Sequence, residues 1–129
     1  AKKVLFTPGK NGQNLMTMQG VSRKTLWFTN RPIRKAGAYT TAKFIGNWNS
    51  GQNSFAADNP NATLVANTQA DDSGDTVIKV LKLSQPNYLS AKSQLSYHTQ
   101  DIYNKGQNSE TLYNASLFID FCFPPFSSC

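Results

Sequence analysis

Thr76-Val-Ile-Lys-Val-Leu-Lys-Leu83 is the stretch whose reading decides the fold. Val77, Ile78, Val80, Leu81 and Leu83 crowd it with apolar side chains, several of them β-branched, as pleated strands favour. Strict alternation slips near Val80-Leu81, which predicts either a bulge or burial on both faces. Pro86-Asn87-Tyr88 then reads as the turn that ends the strand. Further on, Leu95, Tyr97 and Thr99 alternate with Ser96 and His98, the pattern of a half-buried strand. A polar connection over Asn104 to Ser109 leads to a last strand. There Leu117, Ile119, Phe121 and Phe123 share one face and Phe118, Asp120 and Cys122 the other.

Upstream of the deciding stretch, Asn67 to Asp75 is a polar loop and Ala62 to Ala66 a strand. Val4 to Thr7 and the run Leu15, Met16, Met18, Val21 are two more strands, and Asn11-Gly12 between them signals a hairpin. Thr25-Leu-Trp-Phe-Thr29 is a third, ended by Asn30-Arg31-Pro32 because proline removes a ladder donor. One short helix is expected near residues 41–49. Thr40 or Thr41 can cap its free amides, Phe44 and Trp48 lie four apart on one face, and Gly51 is a natural stop. About seven short antiparallel strands at this spacing predict a single all-β domain over residues 1–129, a sandwich or a partly open barrel.

The 129 residues suit one domain, and 39% hydrophobic positions with 15 aromatics can build a core. A disordered chain, a coiled coil and a collagen-like repeat are excluded. No apolar run reaches the ~20 residues of a spanning helix. Charge is lopsided: residues 1–57 carry nine Lys or Arg and no acid, whereas residues 58–129 carry four Lys and seven acids. Such a basic half fits contact with an acidic face of the same domain, or binding of nucleic acid or anionic lipid, with nucleic acid the less favoured. Cys122 and Cys129 enclose six residues, wrong for a zinc knuckle, and are expected to form a local disulfide in an oxidising compartment. The start Ala-Lys-Lys, without Met, fits a removed signal peptide.

Enzyme signatures are missing: there is no G-x-S-x-G, no H-E-x-x-H and no glycine-rich phosphate loop. No catalytic residue, cofactor or metal site is expected. His98, the one histidine, falls on the outward side of its strand with no carboxylate nearby in sequence. Asp71-Asp72-Ser-Gly-Asp75 has part of a calcium loop but neither its ligand order nor its closing Glu. Asn61-Ala-Thr63 and Asn114-Ala-Ser116 match the glycosylation acceptor pattern. Arg31 and Arg34, three apart after a rigid proline, form a candidate anion grip of forked hydrogen bonds; pairing with Asp58, or lying over Trp27 or Trp48, is the structural alternative.

Thr25-Leu-Trp-Phe-Thr-Asn-Arg-Pro-Ile-Arg-Lys-Ala-Gly37, then Trp48, then Ser54-Phe-Ala-Ala-Asp-Asn-Pro-Asn-Ala-Thr-Leu64, resemble a family of small exported bacterial proteins with no assigned activity. That family reads F-x-D-R-P-x-R-x-A-G, W, S-F-A-x-D-P-P-N-A-x-L, and a strand ending L-x-N-P-R-Y. The likeness spans Thr25 to Tyr88, with Asn30 in place of Asp and Gln85 in place of Asn. Gln85-Pro86-Asn87-Tyr88 is also similar to the N-P-x-Y turn that engages adaptors of the phosphotyrosine-binding type. In size, composition and this motif the chain is similar to a translocated bacterial vacuole effector. The resemblance implies a non-enzymatic, exported interaction module acting on host vesicle trafficking, with Gln85, Pro86, Asn87 and Tyr88 as partner contacts. The alternative is an exported small-ligand-binding domain using Arg31 and Arg34.

Overall fold

A computed structural model describes residues 1–29, 35–48, 55–56, 59–71, 73–103 and 109–119, with backbone alone at 27–29 and 35. Six antiparallel strands close a barrel: β1 (Lys3–Pro8), β2 (Asn14–Gln19), β5 (Asn61–Asn67), β6 (Thr76–Leu89), β7 (Gln94–Asp101) and β8 (Glu110–Ile119). Their order around it is β1-β2-β7-β6-β5-β8. A separate hairpin pairs β3 (Lys24–Thr29) with β4 (Lys35–Thr40) and leads into α1 (Thr41–Gly46). The all-β expectation holds, with the barrel closed and β4 a strand beyond those expected.

Period-two burial builds the core. On β1, Val4 and Phe6 point in; on β2, Met16 and Met18; on β5, Ala62, Leu64 and Ala66; on β7, Leu95, Tyr97 and Thr99. Six strands enclose a space that side chains fill, so the lumen holds residues rather than a ligand. The β1–β2 connection behaves as its Asn-Gly signal predicts. Asn11 (φ 58°) and Gly12 (φ 75°) are both left-handed, and the Gln13 N–H donates to the Lys10 carbonyl at 3.1 Å, as in a type I′ turn.

Three expectations need correction. The slip at Val80-Leu81 is no bulge: Val77, Lys79, Leu81 and Leu83 keep one face. Lys79 sits on that inner face because its ammonium meets Glu110 at 2.9 Å and lies 5.5 Å from the centre of the Phe6 ring. Pro86-Asn87-Tyr88 does not turn the chain either. β6 continues to Leu89, and the irregularity is a bulge between Ser84 and Asn87. Finally, the helix stops at Gly46 with Asn47 as its cap (φ −89°, ψ 4°), short of Gly51.

Residues 21–60 link β2 to β5, two strands that do not pair with each other. Two sets of contacts hold this insertion together internally. Thr40 caps α1 by accepting the Lys43 N–H at 3.1 Å. Buried Thr41 donates its hydroxyl to the Ser22 carbonyl at 2.7 Å, so the 2.9 Å contact with Thr25 takes its proton from Thr25. Beyond the helix, Trp48 is 2% exposed and stacks on Tyr97 (centroids 5.2 Å), Phe55 (4.7 Å) and Phe44 (6.0 Å, edge-on). Such packing is worth several kcal/mol, and Trp48→Ala is expected to cost roughly 3–5 kcal/mol in chemical denaturation.

The Tyr97 hydroxyl is buried without a hydrogen-bond partner, and burial pushes the phenol far above its ordinary value of 10.0. A raised folded pKa means that this group favours folding below pH 10.0 and that its contribution is lost as the pH rises beyond. Absorbance at 295 nm should therefore show one tyrosine that ionises only with unfolding. Tyr97→Phe should remove that alkaline sensitivity and leave neutral-pH stability unchanged or higher by up to about 1 kcal/mol.

Candidate functional site

The β6 bulge is the local oddity from which the site grows. Ser84 pairs with His98 and Asn87 with Ser96, so Gln85 and Pro86 together oppose the single residue Tyr97. Proline has no N–H for a ladder, and a bulge is one of the few places where a sheet accepts it. Gln85 bears the consequence, a left-handed backbone at φ 50°. A side chain there costs roughly 1–2 kcal/mol, strain of the kind that gathers at functional positions.

Beside the bulge lies a cleft of about 550 Å³. Its walls come from three places: Asn11 and Gln13 of the β1–β2 loop, Ser84, Gln85 and Pro86 of β6, and Ile45, Trp48, Ala56 and Asn59 of the insertion. The volume falls in the range of small-molecule sites. Among the described residues, the polar side chains of the lining are four amides, the Ser84 hydroxyl and the Trp48 indole, and none carries charge. The Trp48 indole N–H is buried without a hydrogen-bond partner, as is the Tyr97 hydroxyl on the ring stacked against it. Two unpaired polar groups thus lie side by side in the aromatic cluster, one on Trp48, which lines the cleft, and one on Tyr97 behind it.

The cleft takes in only part of the expected contact set. Gln85 and Pro86 line it; Asn87 is exposed and pairs with Ser96; Tyr88 is half-buried against the core and pairs with Leu95. Arg31, Arg34, Asp58, Asp72, Cys122 and Cys129 lie outside the described residues. His98 is half-buried on the outward side of β7, and its carbonyl accepts the Ser84 hydroxyl at 3.3 Å. Asp71 accepts both the N–H and the hydroxyl of Ser73, bonds that hold its carboxyl below the usual range. Among the described residues, no cluster of three metal-ligating side chains occurs. Asn61 and Asn114 are both exposed, and the Asn114 amide donates to the Ala70 carbonyl at 3.1 Å.

Asn11, Gln13, Asn59 and Ser84 were not among the sequence candidates, and Trp48 figured only as a core residue or a seat for arginine. One signal pointed to the place: a proline inside an extended run marks a bulge as readily as a turn. No family model, curated protein or solved structure matches this chain.

The strain at Gln85 is open to a direct check. Glycine adopts φ 50° without a Cβ penalty, so Gln85→Gly should raise stability by about 1 kcal/mol. Gln85→Val, β-branched at the same φ, should lower it by a similar amount in the same denaturation assay.

Proposed function

We propose that the chain is a non-enzymatic binding module whose cleft beside the β6 bulge takes a neutral, hydroxyl-rich ligand such as a saccharide. The observation that carries this reading is the uncharged amide and hydroxyl lining of a 550 Å³ cleft set against a strained backbone position. An amide offers a donor and an acceptor side by side, which suits paired hydroxyl groups. A phosphate or carboxylate would find no cation among the described lining residues.

Binding at this wall uses Gln85 and Pro86 while they remain in the sheet. Engagement of a phosphotyrosine-binding-type adaptor by Tyr88 would instead require residues 87–89 to leave their pairing with β7. That cost favours the cleft over the free turn. Export from a bacterium, action as an effector in a host and a Cys122–Cys129 disulfide belong to the same proposal, resting on the family resemblance and the cysteine spacing.

Intrinsic fluorescence tests the reading in a Trp27→Phe background, where Trp48 is the remaining indole. Neutral saccharides should shift Trp48 emission saturably. Ser84→Ala and Asn59→Ala should each weaken binding by roughly 2- to 10-fold, the worth of one hydrogen bond. Sugar phosphates should bind no better than their neutral parents. Affinities unmoved by both substitutions would remove the cleft from consideration.

A further inference from the structure

Among the described lining residues of the cleft, Trp48 is the one whose polar group is shut away from water and bonds to nothing in the protein. Ser84 donates its hydroxyl to the His98 carbonyl at 3.3 Å, and Asn11 and Gln85 are exposed, so water serves them. A buried indole N–H usually finds an acceptor. Packing gives only part of the reason for a tryptophan here. Its partners in the aromatic cluster at positions 44 and 55 are phenylalanines, and a phenylalanine at 48 would bring a ring to Tyr97 with no donor to leave unpaired. What the indole adds is an N–H, on a residue that also lines a cleft.

The backbone of Trp48 is held on both sides. Its N–H donates to the Ile45 carbonyl at 3.0 Å, and its carbonyl accepts the Ala56 N–H at 3.0 Å. Any response to a ligand is therefore confined to the side chain. Ile45, Ala56 and Pro86 supply the apolar part of the same lining, which suits the C–H face of a sugar ring.

We infer that Trp48 is the specificity-determining residue of the cleft: its indole N–H donates to one oxygen of the bound saccharide, and the ligand thereby satisfies a donor that the free protein leaves unpaired. This inference rests on the saccharide reading of the cleft and goes beyond it by fixing which group discriminates. An indole donates and never accepts, so the oxygen it meets is selected as an acceptor. The bond contributes more than one made by an exposed amide, because no hydrogen bond to water is given up at the indole to form it. Since the N–H is closed off in the free protein, the bond forms as the ring tilts toward the cleft, and that tilt is directly observable.

Nuclear magnetic resonance tests this in the isotope-labelled Trp27→Phe protein, where Trp48 gives the single indole N–H signal. The probes are the methyl glycosides of glucose, galactose and mannose and, for whichever binds, its monodeoxy derivatives. The indole signal should move downfield saturably, in step with the backbone amides of Ser84 and Gln85. By calorimetry, Trp48→Phe should weaken binding roughly 5- to 50-fold. One deoxy derivative should bind the intact protein more weakly than its parent, yet bind the Trp48→Phe variant equally well, the sign that the missing oxygen and the N–H are partners. Amide shifts at Ser84 and Gln85 with a stationary indole signal would overturn the inference while leaving the saccharide reading intact. That signal decides the matter even where Trp48→Phe fails to fold. Shifts at neither place with any of the glycosides would remove the reading and the inference together.

Discussion

The stack of Trp48 on Tyr97 is the contact on which the rest of the molecule depends. A six-stranded barrel can fill its own lumen, and here it does so with side chains from every strand. The insertion of residues 21–60 has no such self-sufficiency. A six-residue helix and a two-stranded hairpin are each too small to hold their shape in water. They become structured parts of the domain because one large aromatic ring is driven against another that the barrel already holds. Phe44 and Phe55 extend that cluster, and the hydroxyl contacts among Ser22, Thr25 and Thr41 fasten the opposite end of the helix.

The same stack explains why the cleft is where it is. Tyr97 is the one β7 residue facing two on β6, so the bulge that accommodates Pro86 lies directly across from the ring that receives Trp48. Past Lys82, β6 has no strand on its β5 side among the described residues, apart from the single bond from the Leu83 N–H to the Pro60 carbonyl. A strand that outruns its neighbour leaves a gap. Helix α1 packs beside β6 there without sealing its outer rim, which the polar side chains of the β1–β2 loop and Asn59 then border. Cavity, strain and unpaired polar groups therefore share one cause, and their coincidence is a consequence of topology.

How much of this could be read in advance depends on whether the information was local. The hairpin at Asn11-Gly12, a helix cap at Thr40 or Thr41 and the strands over residues 3–8, 61–67 and 94–101 follow from neighbours in sequence, and the structure has them, with Thr40 as the cap. Lys79 misled the reading of β6, because an inward lysine makes sense only once Glu110 and Phe6 are seen beside it. Pro86 was ambiguous for the same kind of reason: whether a proline turns a chain or bulges a strand is settled by the partner strand. β4 escaped notice because Lys35-Ala-Gly-Ala-Tyr-Thr40 has little strand character of its own and is recruited by pairing with β3. Of the site, only Gln85 and Pro86 were legible as contacts. Asn11, Gln13 and Asn59 are turn residues by type, and nothing in their order shows that they converge.

Helix α1 joins the hairpin to the barrel, and the join has a physical consequence. At its start the helix is fixed to the hairpin by buried Thr41, whose N–H also donates to the Arg23 carbonyl at 2.8 Å. Just past its end, Trp48 is fixed to the barrel. With both ends held and only six residues between them, the helix leaves little freedom for the hairpin to swing relative to the β6 bulge.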